Sequence, residues 1–161
     1  MKKDLYVEKS KIAGKGVFTK EPFKKGEIVF ILKGKFKKHH PKNSKESKNG
    51  PNWVGVGEDI WIDPIDISQY LNHSCQPNMG IKGRVEFVAL HNIKKDEELT
   101  FDYSITEMDE FWEFPCNCRS RNCRKILHSI QSLPKPVFKH YLPYIPNYFQ
   151  KVYNRSNKIN K

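Results

Sequence analysis

No apolar run in this 161-residue chain approaches the roughly 20 residues that a membrane helix needs. The opening Met1-Lys2-Lys3-Asp4 lacks the apolar stretch of a secretory signal. A cytoplasmic or nuclear protein is expected, with export into a host cell by a route that reads no such signal as the exception. Cysteine is scarce: Cys75, Cys116, Cys118 and Cys123 are the four present. Acidic residues are missing altogether from positions 116–161. The chain shows no internal repeat and no long helical period, which argues against a solenoid or a helix bundle. It has room for one domain with a single core.

Charge is abundant and divided. Residues 1–50 hold 15 lysines against 5 acidic residues, 51–115 hold 4 basic against 13 acidic, and 116–161 hold 10 basic residues, for a net +11. Such a field would draw an anionic partner to the ends and a basic peptide to the middle. A lysine-rich, solvated surface is the plainer alternative.

Short strands are expected at Leu5–Val7, Gly16–Phe18, Glu27–Leu32, Trp53–Val56, Ile60–Ile62, Val85–Leu90 and Glu98–Phe101, each bounded by Gly, Pro, Asn or Asp turns. They predict a mainly β domain. Residues 34–52, rich in Lys, Asn and Ser, read as a loop or insert. Near the C-terminus, Leu133, Val137, Phe138, Tyr141, Leu142 and Ile145 predict one short helix, followed by an aromatic extension with a frayed tail over 154–161.

Without a secretory signal, four thiols favour a metal over disulfides. One tetrahedral Zn²⁺ accepts four thiolates. Cys75 precedes the other three by about forty residues, so such a zinc would pin a late flap onto the body. Reduced core or reactive thiols, and disulfides, are the alternatives.

Three islands carry the chemistry: Tyr70-Leu71-Asn72-His73-Ser74-Cys75, then Glu98-Leu99-Thr100-Phe101-Asp102-Tyr103, then Cys116-Asn117-Cys118 with Cys123. In residue type, order and spacing they resemble the SET-domain protein lysine methyltransferases, over roughly residues 5–127. The Tyr-Leu-Asn-His-Ser-Cys form and the ending around Tyr144-Ile145-Pro146 are similar to compact bacterial members that carry a post-SET zinc motif.

That resemblance implies short curved β-sheets with a pseudoknot. Residues 1–114 would form the SET domain, 115–128 a post-SET zinc segment and 129–161 a helical and aromatic extension. It implies methyl transfer from S-adenosylmethionine to a lysine side chain of a protein or peptide, possible histones and other basic proteins included, by a monomer. Tyr103 would stand at the reaction centre. Phe101 would line the lysine channel and, as a phenylalanine, leave space for di- or trimethylation; core packing is its alternative role. Lys15, Gly16, Tyr70, Asn72 and His73 would hold the cofactor. Trp53 would cover it or serve the core, and Ile126 and Leu127 would pack on its adenine. Cys75, Cys116, Cys118 and Cys123 would bind the zinc. Gln69 and Lys125 depart from residues common in the family. Glu107, Asp109, Glu110 and Glu113 would line a groove for a basic peptide or form a solvated loop. A non-catalytic peptide- or chromatin-binding scaffold is the competing reading. Nucleic-acid contact through Arg119, Arg121, Arg124 and Lys125 would be auxiliary.

Overall fold

The computed structural model describes residues 3–38 and 52–159. In chain order its strands are β1 Leu5–Lys9, β2 Lys15–Thr19, β3 Ile28–Ile31, β4 Gly34–Lys38, β5 Val54–Gly57 and β6 Ile60–Pro64. Then come β7 Asn72–His73, β8 Met79–Lys82, β9 Glu86–Ala89, β10 Glu98–Phe101, β11 Glu113–Pro115 and β12 Ile126–His128. Two helices follow, α1 Lys135–Tyr141 and α2 Asn147–Ile159. Among the described residues no helix is long and apolar enough to cross a membrane.

Four small sheets carry these strands, in the orders β1-β2-β10-β7, β3-β9-β8, β4-β6-β5 and β11-β12. The β1–β2 hairpin turns through Gly14 at φ +48°, a left-handed conformation that glycine adopts without a Cβ penalty. Opposite each other across this hairpin, the Tyr6 and Phe18 rings stack at 5.6 Å. β10 joins β2 antiparallel, whereas β7 joins β10 in parallel, pairing Asn72 with Thr100 and His73 with Phe101. That parallel step sets the Asn-His segment beside the end of the Phe-Asp-Tyr strand.

The core runs between the sheets: Val17, Met79, Ile81, Phe87, Leu99 and Ile105 are almost wholly buried. Phe138, Tyr141, Ile145, Phe149 and Tyr153 from the two helices belong to the same core. Their approach is close enough to require glycine at two sites. A Cβ on Gly80 would meet Tyr144, and one on Gly55 would overlap the Thr106 carbonyl and the Phe149 ring.

Three expectations are corrected. Residues 34–38 are strand β4, paired over its whole length with β6, so the loop reading of 34–52 fails there; the rest of that segment, apart from Asn52, lies outside the described residues. The C-terminal region holds two helices, not one. The tail expected to fray from 154 continues α2 to Ile159. Burying Phe149 and Tyr153 is worth roughly 2–3 kcal/mol each, which offsets the ordering cost of a helix with middling propensity.

Candidate active site and thiol cluster

Around Glu98 the structure gathers four of the expected cofactor residues. Asn72 Nδ2 lies 2.8 Å from Glu98 Oε1, 3.0 Å from the Lys15 carbonyl and 3.1 Å from that of Ala13. Ser10 Oγ donates to the same carboxylate at 2.7 Å. A Cβ on residue 16 would overlap Glu98 Oε1, so this approach of β2 to β10 needs Gly16. The Lys15 ammonium stands 5.5 Å from the Tyr70 ring. Glu98 itself was not singled out from the sequence. Its signal was its place opening the Glu-Leu-Thr-Phe strand.

Tyr103 opens a 3₁₀ turn, Tyr103–Thr106, directly after β10, and its hydroxyl donates to the Leu71 carbonyl at 2.6 Å. Its ring sits 5.0 Å from Phe101 and 5.4 Å from His73, and Phe101 meets Phe87 edge-on at 5.2 Å. Burial, helped by the Glu98 charge, pushes the Tyr103 phenol above its ordinary pKa. It therefore stays protonated at neutral pH. Such a group can orient a reacting partner through its hydroxyl, but is not poised to act as a base.

His73 is 4% exposed, and burial brings its pKa down to about 4 against the opposing Asp102 charge, so the ring is neutral. The 3.6 Å approach of its Nδ1 to Asp102 is thus a contact rather than an ion pair. The Tyr103 backbone N–H donates to Nδ1 at 3.2 Å. A neutral imidazole that accepts at Nδ1 carries its proton on Nε2, and Nε2 faces Cys75 Sγ at 3.2 Å.

One ring nitrogen of His73 and the sulfurs of Cys75, Cys116 and Cys118 all lie within 4.8 Å of one another, a cluster able to hold a metal ion. Cys123 borders it, with its sulfur 3.6 Å from Cys116 Sγ; Cys75 Sγ is 3.8 Å from the same atom. Two sulfurs bonded at about 2.3 Å to one tetrahedral zinc stand about 3.8 Å apart, whereas a disulfide needs about 2.05 Å. All four thiols are free. Burial pushes the Cys75 and Cys116 thiols up, whereas at Cys118 hydrogen bonds from Cys75 and Ser120 outweigh burial and bring the pKa down to about 6. The donor set fits zinc. The expected quartet meets one addition, since His73 stands inside the cluster while Cys123 stands at its edge.

Ile126 and Leu127 lie on β12, which pairs with β11 so that Leu127 opposes Phe114. Ile126 is 49% exposed, while Leu127 is enclosed by protein beside Cys116 and Cys118. Of the two, only Ile126 offers surface to a ligand. Trp53 is half-buried on the β4-β6-β5 sheet side, with the Lys37 ammonium 5.3 Å from its ring. In the acidic stretch, Glu107 accepts from the Met108 and Asp109 amides and Asp109 from that of Phe111, so both serve their own turn.

The largest omission from the sequence reading is Asp102. It is fully buried and capped into the Tyr103 turn by the Ser104 amide. Arg124 Nη2 lies 2.6 Å from each of its oxygens, and Tyr141 donates to Oδ2 at 3.1 Å. The Arg124 guanidinium is thereby committed to an internal ion pair and taken out of any nucleic-acid surface.

The SET domain family model matches residues 14–104. The chain is 34% identical over 141 residues to the Variant-silencing SET domain-containing protein of Plasmodium falciparum, covering 75% of this chain and 6% of that protein. It is 27% identical over 139 residues to human Histone-lysine N-methyltransferase 2D, covering 77% of this chain and 2% of that protein. The chain thus spans a small fraction of the length of these relatives. Among solved structures it resembles the Polycomb Repressive Complex 2 of Chaetomium thermophilum in an autoinhibited conformation bound to S-adenosylmethionine, with TM-score 0.58, 27% identity, and 68% and 16% of the two chains covered. It shares the fold of KRYPTONITE, solved with mCHH DNA, an H3(1-15) peptide and SAH, with TM-score 0.62, 23% identity, and 80% and 30% covered. With more than half of its residues matched, and the motif residues meeting on β2, β7 and β10, the chain belongs to the SET domain family of methyltransferases.

Proposed function

We propose that this protein transfers methyl groups from S-adenosylmethionine to the side-chain amine of lysine in a basic protein, with a histone or similar polypeptide as the substrate class. The observation that carries this reading is the meeting of two segments at one point. The Asn72-His73 strand lies in parallel on β10, and Tyr103 closes over it onto the Leu71 carbonyl. Names of relatives that specify histone lysine support the substrate class.

When bound, the cofactor supplies a methyl group on a sulfonium, so no acid is needed to help the leaving group depart. The chain's own work is alignment and exclusion of water. Lys15, Gly16, Tyr70 and Asn72 would hold the donor from β2 and β7, with Ile126, and Trp53 from the neighbouring sheet, as cover. His73 would contribute through its backbone. Tyr103 would orient the acceptor amine. Phe101, beside Tyr103 and packed edge-on against Phe87, carries no hydroxyl with which a tyrosine would hold the amine or a water. On that reading di- and trimethyl-lysine are the products, and Phe101→Tyr should shift the product toward monomethyl-lysine, read by mass spectrometry of peptides under excess cofactor. Monomethyl-lysine alone from the unaltered protein would overturn the assignment.

For the metal we propose Zn²⁺ on Cys75, Cys116, Cys118 and Cys123, with His73 donating Nε2–H to the Cys75 thiolate from outside the coordination sphere. Hydrogen bonding of that kind is the usual support for a metal ligand. Elemental analysis should find one zinc per chain, reduced to near zero by Cys116→Ser and retained in His73→Asn. Loss of zinc from the His73 variant alone would reverse their roles.

The decisive experiment incubates the zinc-loaded protein with S-adenosylmethionine and a lysine-rich histone peptide. Mass gain on a lysine supports the proposal. Saturable cofactor binding with no transfer to any basic substrate would point to the scaffold instead.

A further inference from the structure

We propose that Tyr141, on helix α1, is a positioning residue for the methyl-transfer site, acting through Asp102 and Arg124 on the strand that covers the cofactor. The inference rests on the function proposed above. It concerns a part of the chain outside the residues that the SET domain family matches, which end at 104.

Asp102 has no exposure, and its two oxygens divide their work. Oδ1 receives the Ser104 amide at 3.0 Å and Arg124 Nη2 at 2.6 Å; Oδ2 receives the same Nη2 at 2.6 Å and the Tyr141 hydroxyl at 3.1 Å. Through Ser104 the carboxylate caps the turn that begins with Tyr103. Through Arg124 it holds the far end of the thiol segment, because the Arg124 carbonyl accepts from Ile126 and its amide faces Cys75 Sγ at 3.4 Å. One carboxylate is therefore the common reference for the reaction-centre tyrosine and for the Ile126 strand.

Tyr141 sets the angle of that carboxylate. It is 3% exposed, and its hydroxyl also lies 3.4 Å from the Cys75 carbonyl. Replaced by phenylalanine, the ring still fills its place in the core. Oδ2 then keeps one partner, and the carboxylate loses one restraint on its angle while Oδ1 stays on Ser104 and Arg124. The Arg124–Ile126 segment should loosen first, since it carries the guanidinium that moves with the carboxylate, whereas Leu127 stays anchored by burial and by the pairing of β12 with β11.

The test compares the whole 161-residue, zinc-loaded chain with its Tyr141→Phe variant, using hydrogen exchange and steady-state kinetics. Exchange of amides across Cys116–His128 should quicken about fivefold in the variant, with β1 and β2 unchanged. The KM for S-adenosylmethionine should rise about fivefold while kcat at saturating cofactor moves less than about twofold. Unchanged exchange over Cys116–His128 would overturn the proposal. So would uniform acceleration across all strands, which would mark Tyr141 as a structural anchor. Arg124→Lys cuts the other arm of the network and should give the same local signature should Tyr141→Phe fail to fold; normal exchange in it sinks the idea equally. An unaltered protein that binds no cofactor would refute the proposed function, while the exchange comparison would still decide the network.

Discussion

Tyr103→Phe is expected to lower kcat for methyl transfer by about 100- to 1,000-fold, the usual cost of removing one preorganised polar group from a reaction centre. The change removes a single oxygen, one that donates to the Leu71 carbonyl at 2.6 Å. The ring contacts with Phe101, His73 and Phe114 are retained. Stability should fall only by the cost of one unpaired carbonyl, about 1–2 kcal/mol, or about 2–8 °C in Tm for a chain of this size. Zinc content and cofactor affinity should stay near those of the unaltered protein. The disproportion between activity and stability is the informative part. If kcat stays within about threefold, the hydroxyl serves packing alone and the reaction centre lies elsewhere.

Asp102→Ala should be the most destabilising single substitution in the site, by about 3–5 kcal/mol, because it strands a charge. Arg124 is 18% exposed and keeps its guanidinium against Asp102. Without that carboxylate the cation keeps only the Cys75 sulfur beside it, the Ser104 amide loses its acceptor, and the Tyr141 hydroxyl is left with the Cys75 carbonyl at 3.4 Å. A midpoint shift in urea at constant slope would measure the loss. Asp102→Asn is the informative companion, since its amide oxygen still accepts while the charge is gone. A double variant, Asp102→Ala with Arg124→Met, should recover much of the stability by removing the stranded cation. Failure to recover any would show that the carboxylate matters through the turn at Tyr103 and not through the ion pair.

Much of the scaffold is legible in the chain because local chemistry and burial agree there. The β1–β2 hairpin has alternating apolar residues and a glycine where φ is positive, and the β5–β6 hairpin turns through Glu58 and Asp59. Strand β4 escapes such a reading. Its lysines and the exposed Phe36 carry no inward pattern, and only the ladder to β6 makes it a strand. Helix α2 escapes for the complementary reason. Its Asn and β-branched residues favour helix weakly, and the burial of Phe149 and Tyr153 in a core built by distant strands tips the balance.

The site divides along the same line. The resemblance carried by the three islands marks Tyr103, Phe101, Asn72, Gly16 and the four thiols as candidates, and the structure sets Asn72 and Gly16 beside Glu98 and gathers the thiols. The ion pair between Asp102 and Arg124 joins residues 22 apart, and the bond from Tyr141 to Asp102 joins residues 39 apart. Neither spacing follows any helical or strand period. An aspartate, an arginine and a tyrosine are each at home on a surface, and only packing removes the water that would otherwise screen them from one another. The side-chain chemistry was thus written in the sequence. The burial that gives Asp102, Arg124 and His73 their roles was decided by the tertiary structure, since desolvation depends on every segment packed around a group.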